Sequence, residues 1–205
     1  LRGNLPVVVG EGLAWHCPAL ALAGTWAAKE PAGADTVLWS DARGAVHWQP
    51  LAPRARVELQ VGGQTITGWG YAERLRLNLR PGRLPIDGLR WGRFVSAEHS
   101  AVWIEWEHPT PRRWLWHNGA EIFEPKISDR EISWPDGRVT MGEPRTLRTG
   151  RLAETVLARW PRVQRWLPKE IQALDESKWC APGTLIEAGA AAARGWVIHE
   201  HVRFR

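Results

Sequence analysis

Glu73 stands inside TGWGYAERLRLNL, Thr67 to Leu79, at a position where a strand would point it among apolar neighbours. With side chains alternating between two faces, Trp69, Tyr71, Glu73, Leu75, Leu77 and Leu79 share one side, while Gly68, Gly70, Ala72, Arg74, Arg76 and Asn78 share the other. The same oddity recurs. LRWGRFVS carries Arg93 on the face of Leu89, Trp91 and Val95, and AVWIEWE carries Glu105 with Ala101 and Trp103. GWVIHEHVRF carries Glu200 with Trp196, Ile198, Val202 and Phe204. A one-residue slip of register would have to repeat in every one of these runs to explain it away. The recurrence points instead to a β-barrel whose apolar interior holds a few ionisable groups, the form in which small barrels bind a ligand.

Burying a lone carboxylate costs several kcal/mol, so Glu73 must be paired, wetted or kept protonated for a purpose. A carboxyl group in an apolar, Trp-lined site is held protonated and can give its proton to an alkene, with indole faces stabilising the cation that results. Beside Arg93 it would instead stay ionised and act as a base. The expected catalytic set is Glu73, Arg93 and Glu200, and the expected ligand-binding set is Trp69, Tyr71, Trp91, Trp103 and Trp196. An equal alternative makes Glu73 and Arg93 a buried pair that only fixes the fold. Glu105 is expected to face solvent, because Val102, Ile104 and Trp106 make the opposite side of its strand at least as apolar.

Other constellations are thinner. His199 and His201 share one side of a strand, a start for a metal site, but spacing supplies no third ligand, so no metal is expected and the two read as an exposed polar edge. His99, in the AEHS turn, and His117, before Asn118-Gly119, lie at strand ends where exposed histidines are common. There is no G-x-S-x-G elbow, phosphate-binding loop or G-x-G-x-x-G fingerprint. Nucleophilic hydrolysis, nucleotide-driven chemistry and Rossmann hydride transfer are therefore unsupported, and no cofactor is expected.

The elements that must position these residues are short strands. Turn signals separate runs rich in Val, Ile, Thr and Trp: Asp41 to Gly44, Gly62-Gly63, Asn118-Gly119 and Pro135-Asp136-Gly137. That is the pattern of consecutive hairpins, so an all-β antiparallel domain is expected. Glycine beside tryptophan, at Trp69-Gly70, Trp91-Gly92 and Gly195-Trp196, marks bends or close backbone approach and favours a barrel over a sandwich. One segment breaks the pattern: 151–174 has helical spacing, cut into short pieces by Pro161 and Pro168. Two last strands are expected around the turn at Gly189 to Ala193.

At 205 residues the chain can bury a substantial core as one domain, 1–205, or as one piece of a longer two-barrel chain. It begins at Leu1 rather than Met, in keeping with the second option. Fifteen Trp against 3 Phe and 1 Tyr mean that most large aromatic surface carries an N–H needing a partner. The net charge of +5 is scattered rather than gathered in a patch, so no nucleic-acid partner is expected. Two distant cysteines suggest a reducing, cytoplasmic setting, and no run is long enough for a membrane span.

GWGYAERL, LPIDGLRWGRF, VWIEW, RWLWHNG and GWVIHEHVRF together resemble the lipocalin-like superfamily of carotenoid 1,2-hydratases, AttH-type proteins and related hydratases and Diels-Alderases. The resemblance runs from about Gln64 to Gly119, with an echo near the carboxyl terminus. It implies antiparallel barrels around a largely apolar chamber, with a G-x-G-Y segment, here Gly68 to Tyr71, leading a strand that presents polar groups inward. The hydratase relatives follow that motif with a His-Asp-His-Asn-Trp-Gly type run where this chain has Ala72-Glu73-Arg74-Leu75, so their acid/base residues do not carry over. The expected activity is cofactor-free hydration, isomerisation or cyclisation of a hydrophobic, terpenoid- or polyene-like small molecule. The alternative is a carrier that binds such a molecule unchanged.

Overall fold

The computed structural model describes residues 5–79, 84–107, 110–151, 153–154 and 174–204, and these are almost entirely antiparallel β structure. The helical segment expected at 151–174 falls almost wholly outside the described residues. The chain divides into two compact units, one from Leu1–Ser40 and Val46–Arg76, the other from Asp41–Ala45 and Leu77–Arg205.

The first unit is built on a six-stranded sheet: β1 (Val7–Val9), β2 (Gly12–Cys17), β3 (Leu22–Ala28), β4 (Thr36–Asp41), β5 (Gly44–Val61) and β6 (Gln64–Leu77), ordered β1-β2-β3-β5-β4 with β6 also on β5. The β5–β6 turn is Gly62-Gly63, with φ of 56° and 83°. Two successive positive φ values match the twist of a tight hairpin and are nearly free of cost only for glycine. Leu13, Ala52, Ala55 and Val57 form this unit's core, with Trp26, Leu59 and Ala72 packed against it. Gly70 is buried against Val57, so close that a side chain there would collide with it.

The second unit carries a ten-stranded antiparallel sheet. Its strands are β7 (Gly88–Val95), β8 (Ser100–Glu107), β9 (Arg112–His117), β10 (Ala120–Ile122), β11 (Lys126–Ile127), β12 (Glu131–Trp134), β13 (Gly137–Met141), β14 (Arg145–Arg151), β15 (Asp175–Glu187) and β16 (Ala193–Arg203). Their order is β10-β9-β8-β7-β16-β15-β13-β12-β11, with β14 also on β15. The Asn118-Gly119 and Pro135-Asp136 turns close hairpins where the sequence places them. One face of this curled sheet encloses a core of Phe94, Ala101, Trp103, Leu115, Ile132, Trp134, Val139, Leu185 and Val197. Among the described residues no helix is long and apolar enough to cross a membrane.

Three sequence expectations change. Glu105 is 4% exposed rather than solvent-facing, because β8 lies inside the sheet and both of its faces are covered. His199 and His201 are not an exposed edge: β16 runs between β7 and β15, and the two residues are 2% and 7% exposed. On β6 the apolar face does not continue, since Leu75 is 53% exposed and Glu73 itself is exposed. Among the described residues β6 pairs only with β5, so its far half has less sheet to pack against.

Candidate functional site

Cross-strand register in the second unit stacks side chains into rows on the core-facing side. Arg113, Glu105, Arg90, His201 and Ser177 are successive direct partners across β9, β8, β7, β16 and β15. The next row is Leu115, Trp103, Gly92, His199 and Trp179, and the one beyond it is His117, Ala101, Phe94, Val197 and Ala181. The face thus grades from charged through aromatic to apolar over a few residues of strand.

Charge in the first row is paired. Glu105 accepts from Arg113 Nε at 2.6 Å and from Arg90 Nη1 at 2.9 Å, and Arg90 also donates to Glu107 and, through Nε, to Asp129 at 3.2 Å. Burial works against the Arg90 cation, but the carboxylates of Glu105, Glu107 and Asp129 outweigh it and raise its pKa, so it stays charged. A buried carboxylate held by two guanidiniums is tolerable where a lone one is not.

The histidines are different. His199 lies between two indoles, with its ring centroid 5.7 Å from Trp179 in a stacked arrangement and 6.1 Å from Trp103. Gly92 makes room for this, because a side chain at that position would run into the Trp103 ring. Both ring nitrogens of His199, Nε2 of His201 and Nε1 of Trp103 are buried and lack a hydrogen-bond partner among the described residues. Asp129 Oδ1 is 3.7 Å from His199 Nε2, and Glu107 Oε1 is 3.5 Å from His201 Nε2. Burial pushes His199 down to about 4, with Asp129 opposing and Arg90 and His201 reinforcing the shift. His201 is also lowered, first by burial and then by the Arg90 charge. Both imidazoles are therefore neutral near pH 7, each offering one N–H donor and one lone pair.

Two adjoining cavities are bordered by the two histidines. One of about 280 Å³ is lined by His199, Val197, Ala181, Met141 and Trp179; the other, about 360 Å³, by His201, Ser177, Thr149, Arg203 and the same Trp179. Asp129 borders both. A larger concavity of about 920 Å³ in the first unit is bordered by exposed Leu5, Val7, His16, Thr25, Glu58 and Gln60, so it is an open sheet surface rather than a chamber.

Of the residues singled out from sequence, Trp103 belongs to this face. Trp91, Arg93 and Glu200 lie on the opposite face of the same sheet, where Glu200 is the direct partner of Trp91 and Ile198 that of Arg93. Glu200 is ion-paired with Lys178, yet burial raises its carboxyl pKa despite that cation. Trp196 is 60% exposed. Glu73, Tyr71 and Trp69 belong to the first unit. There Glu73 Oε2 accepts from Trp48 Nε1 at 2.5 Å and from Tyr71 OH at 2.7 Å, and the Trp69 ring has Arg54 and Arg56 guanidiniums each 5.7 Å from its centre. Sequence reasoning missed Arg90, Asp129 and Trp179, and set aside His199 and His201. The available signal was that HEHVR places both histidines on one side of a strand whose other side already holds Ile198 and Val202.

Sheet order, hairpin connections and the enclosed core define a lipocalin-like antiparallel β fold, as the resemblance implied. Among solved structures, an AttH-like protein from Nitrosomonas europaea matches with a TM-score of 0.51 at 10% identity, over 98% of this chain and 68% of that one. Kievitone hydratase from Nectria haematococca matches with a TM-score of 0.48 at 14% identity, over 97% of this chain and 70% of that one. CghA, solved with Sch210972, matches at 0.49 and 10% identity, over 94% and 64%. No family model and no curated protein sequence matches the chain. At these identities the likeness is one of fold.

Proposed function

We propose that this protein is a cofactor-free acid/base enzyme, a hydratase, isomerase or cyclase, acting on a hydrophobic small molecule held in the interior of the second unit. The observation that carries the reading is the pair of buried, neutral imidazoles, with both ring nitrogens of His199 and Nε2 of His201 unsatisfied among the described residues, in residues that border two adjoining cavities. Buried polar atoms are nearly always satisfied in native proteins, so a group of them around a cavity marks where a ligand's polar atom belongs. Trp103 and Trp179 supply flat apolar surface for a terpenoid- or polyene-like body. His199, too weak a base to hold a proton at neutral pH, would donate its N–H to a carbonyl or hydroxyl oxygen. His201, beside the Glu107 carboxylate, would take and return the proton. Arg90 fixes Glu107 and Glu105 in place.

The test is proton exchange. A panel of long-chain enones incubated with the protein in D2O should gain deuterium at carbon, read by mass spectrometry, and His201→Gln should slow this by about 10²–10⁴-fold. Saturable binding without exchange would make the protein a carrier, and absence of binding would remove the chamber as a site.

A second reading keeps proton transfer in the first unit. Its support is the short Tyr71 OH to Glu73 contact of 2.7 Å, which would let the phenol relay a proton to the carboxylate. Arg93 and Glu200 belong to the second unit and take no part in this reading. Glu73→Gln separates the two readings: exchange lost with this change but retained in His201→Gln favours the first unit.

A further inference from the structure

At the other end of the same core-facing surface, the row containing His117 is separated from that of His201 by the row of His199. There three chain segments converge. The β7–β8 turn brings His99, the end of β9 brings His117, and the end of β15 brings Glu187. One ligand atom from each lies within 4.8 Å of the other two.

We propose that His99, His117 and Glu187 form a Zn²⁺ site of the two-histidine, one-carboxylate type. Tetrahedral zinc with ligands at about 2.0–2.1 Å requires its donor atoms to lie roughly 3.3 Å apart. His117 Nδ1 is 3.4 Å from Glu187 Oε1, and His99 Nδ1 is 3.9 Å from Glu187 Oε2, with one ligand atom of each residue within 4.8 Å of the others, so closure onto an ion needs side-chain movement of about an ångström. The two imidazoles are stacked at 5.9 Å with 16° between their planes, so a tilt of one ring is what brings both lone pairs onto a shared ion.

The surroundings hold the donors in place. The His117 ring packs on Trp134 at 5.4 Å. Ser96 Oγ accepts from the His99 backbone N–H at 2.9 Å and so fixes the turn. Asn118, in the left-handed region at φ 49°, accepts from Ser100 N–H through Oδ1 at 2.9 Å, and its amide Nδ2 lies 3.2 Å from His99 Nδ1. That amide competes for the same His99 nitrogen, so a metal that takes Nδ1 must displace it. With three protein ligands a fourth position stays open to water or an anion. The ion would staple the turn, β9 and β15 at one end of the sheet, and its binding is independent of the chemistry proposed for His201.

The experiment uses chelator-stripped full-length protein and metal alone. Equilibrium dialysis against Zn²⁺ should give one equivalent bound, Co²⁺ should give the visible absorption of a tetrahedral complex, and Zn²⁺ should raise the thermal midpoint. His99→Gln and Glu187→Gln, both at half-buried positions, should weaken binding by about tenfold or more and abolish the thermal shift, while His16→Gln should change neither. Substoichiometric uptake by the wild type, or undiminished affinity in both ligand variants, would overturn the site.

Discussion

His199 should make the folded protein measurably sensitive to mild acid. Its imidazole has an ordinary value of 6.5 when exposed and about 4 when folded, mainly because burial between Trp103 and Trp179 penalises the cation. Between those two values the unfolded chain binds a proton that the folded chain refuses, so stability rises with pH across that window and falls as pH is lowered through it. One proton contributes about 1.4 kcal/mol per pH unit, so the difference between 6.5 and 4 amounts to about 3 kcal/mol. That is a large share of a typical domain's stability. Urea unfolding of wild type and His199→Gln at intervals from pH 7 to pH 4 isolates the effect, because other titrating groups are common to both proteins. The wild-type stability should drop more steeply, and the gap between the two curves should change by about 3 kcal/mol across the window. Parallel curves would show that His199 is solvated or protonated in the folded state, and the neutral-imidazole argument would fail. His201, lowered for the same first reason, should flatten the acid limb further in the double variant.

Two further substitutions probe the frame around the site. Gly92→Ala inserts a methyl group into the Trp103 ring's position and should cost roughly 1–3 kcal/mol, read from the urea midpoint, together with a change in Trp emission as the indole moves. Glu105→Gln removes the carboxylate that Arg90 and Arg113 share; Arg90 keeps Glu107 and Asp129, so the loss should sit near the lower end of the range for breaking a buried pair, about 3 kcal/mol. Equal urea midpoints for Glu105→Gln and wild type would mean the charged row is solvated.

Hairpins were the most legible part of the fold. Gly62-Gly63 and Asn118-Gly119 carry the backbone freedom that tight turns require, and they close the pairs expected of them. The site was harder to see, for a physical reason. On β8 every residue from Ala101 to Trp106 is buried, so alternation could not say which face holds the core. On β7 the core-facing side reads Arg90, Gly92, Phe94, a sequence with little apolar weight, because the Trp103 ring from β8 occupies the space over Gly92. The opposite side, with Trp91 and Val95, looked more like an interior and drew attention to Arg93. Asp129 could not be placed at all, since its proximity to Arg90 and His199 depends on the curl that brings the β11–β12 turn back over the sheet. Cross-strand partners, not single-strand periodicity, carry that information.

Under the proposed function, His199 and Nε2 of His201 offer unsatisfied ring nitrogens to a ligand in the second unit. The most direct measurement is a side-chain ¹⁵N spectrum of the histidines during titration with 2-decanone, an apolar chain bearing one hydrogen-bond acceptor. Saturable shifts of the His199 or His201 ring nitrogens at one-site stoichiometry are expected, with His16 and His47 unmoved. Shifts confined to other histidines, or no saturable change in the folded protein, would contradict it.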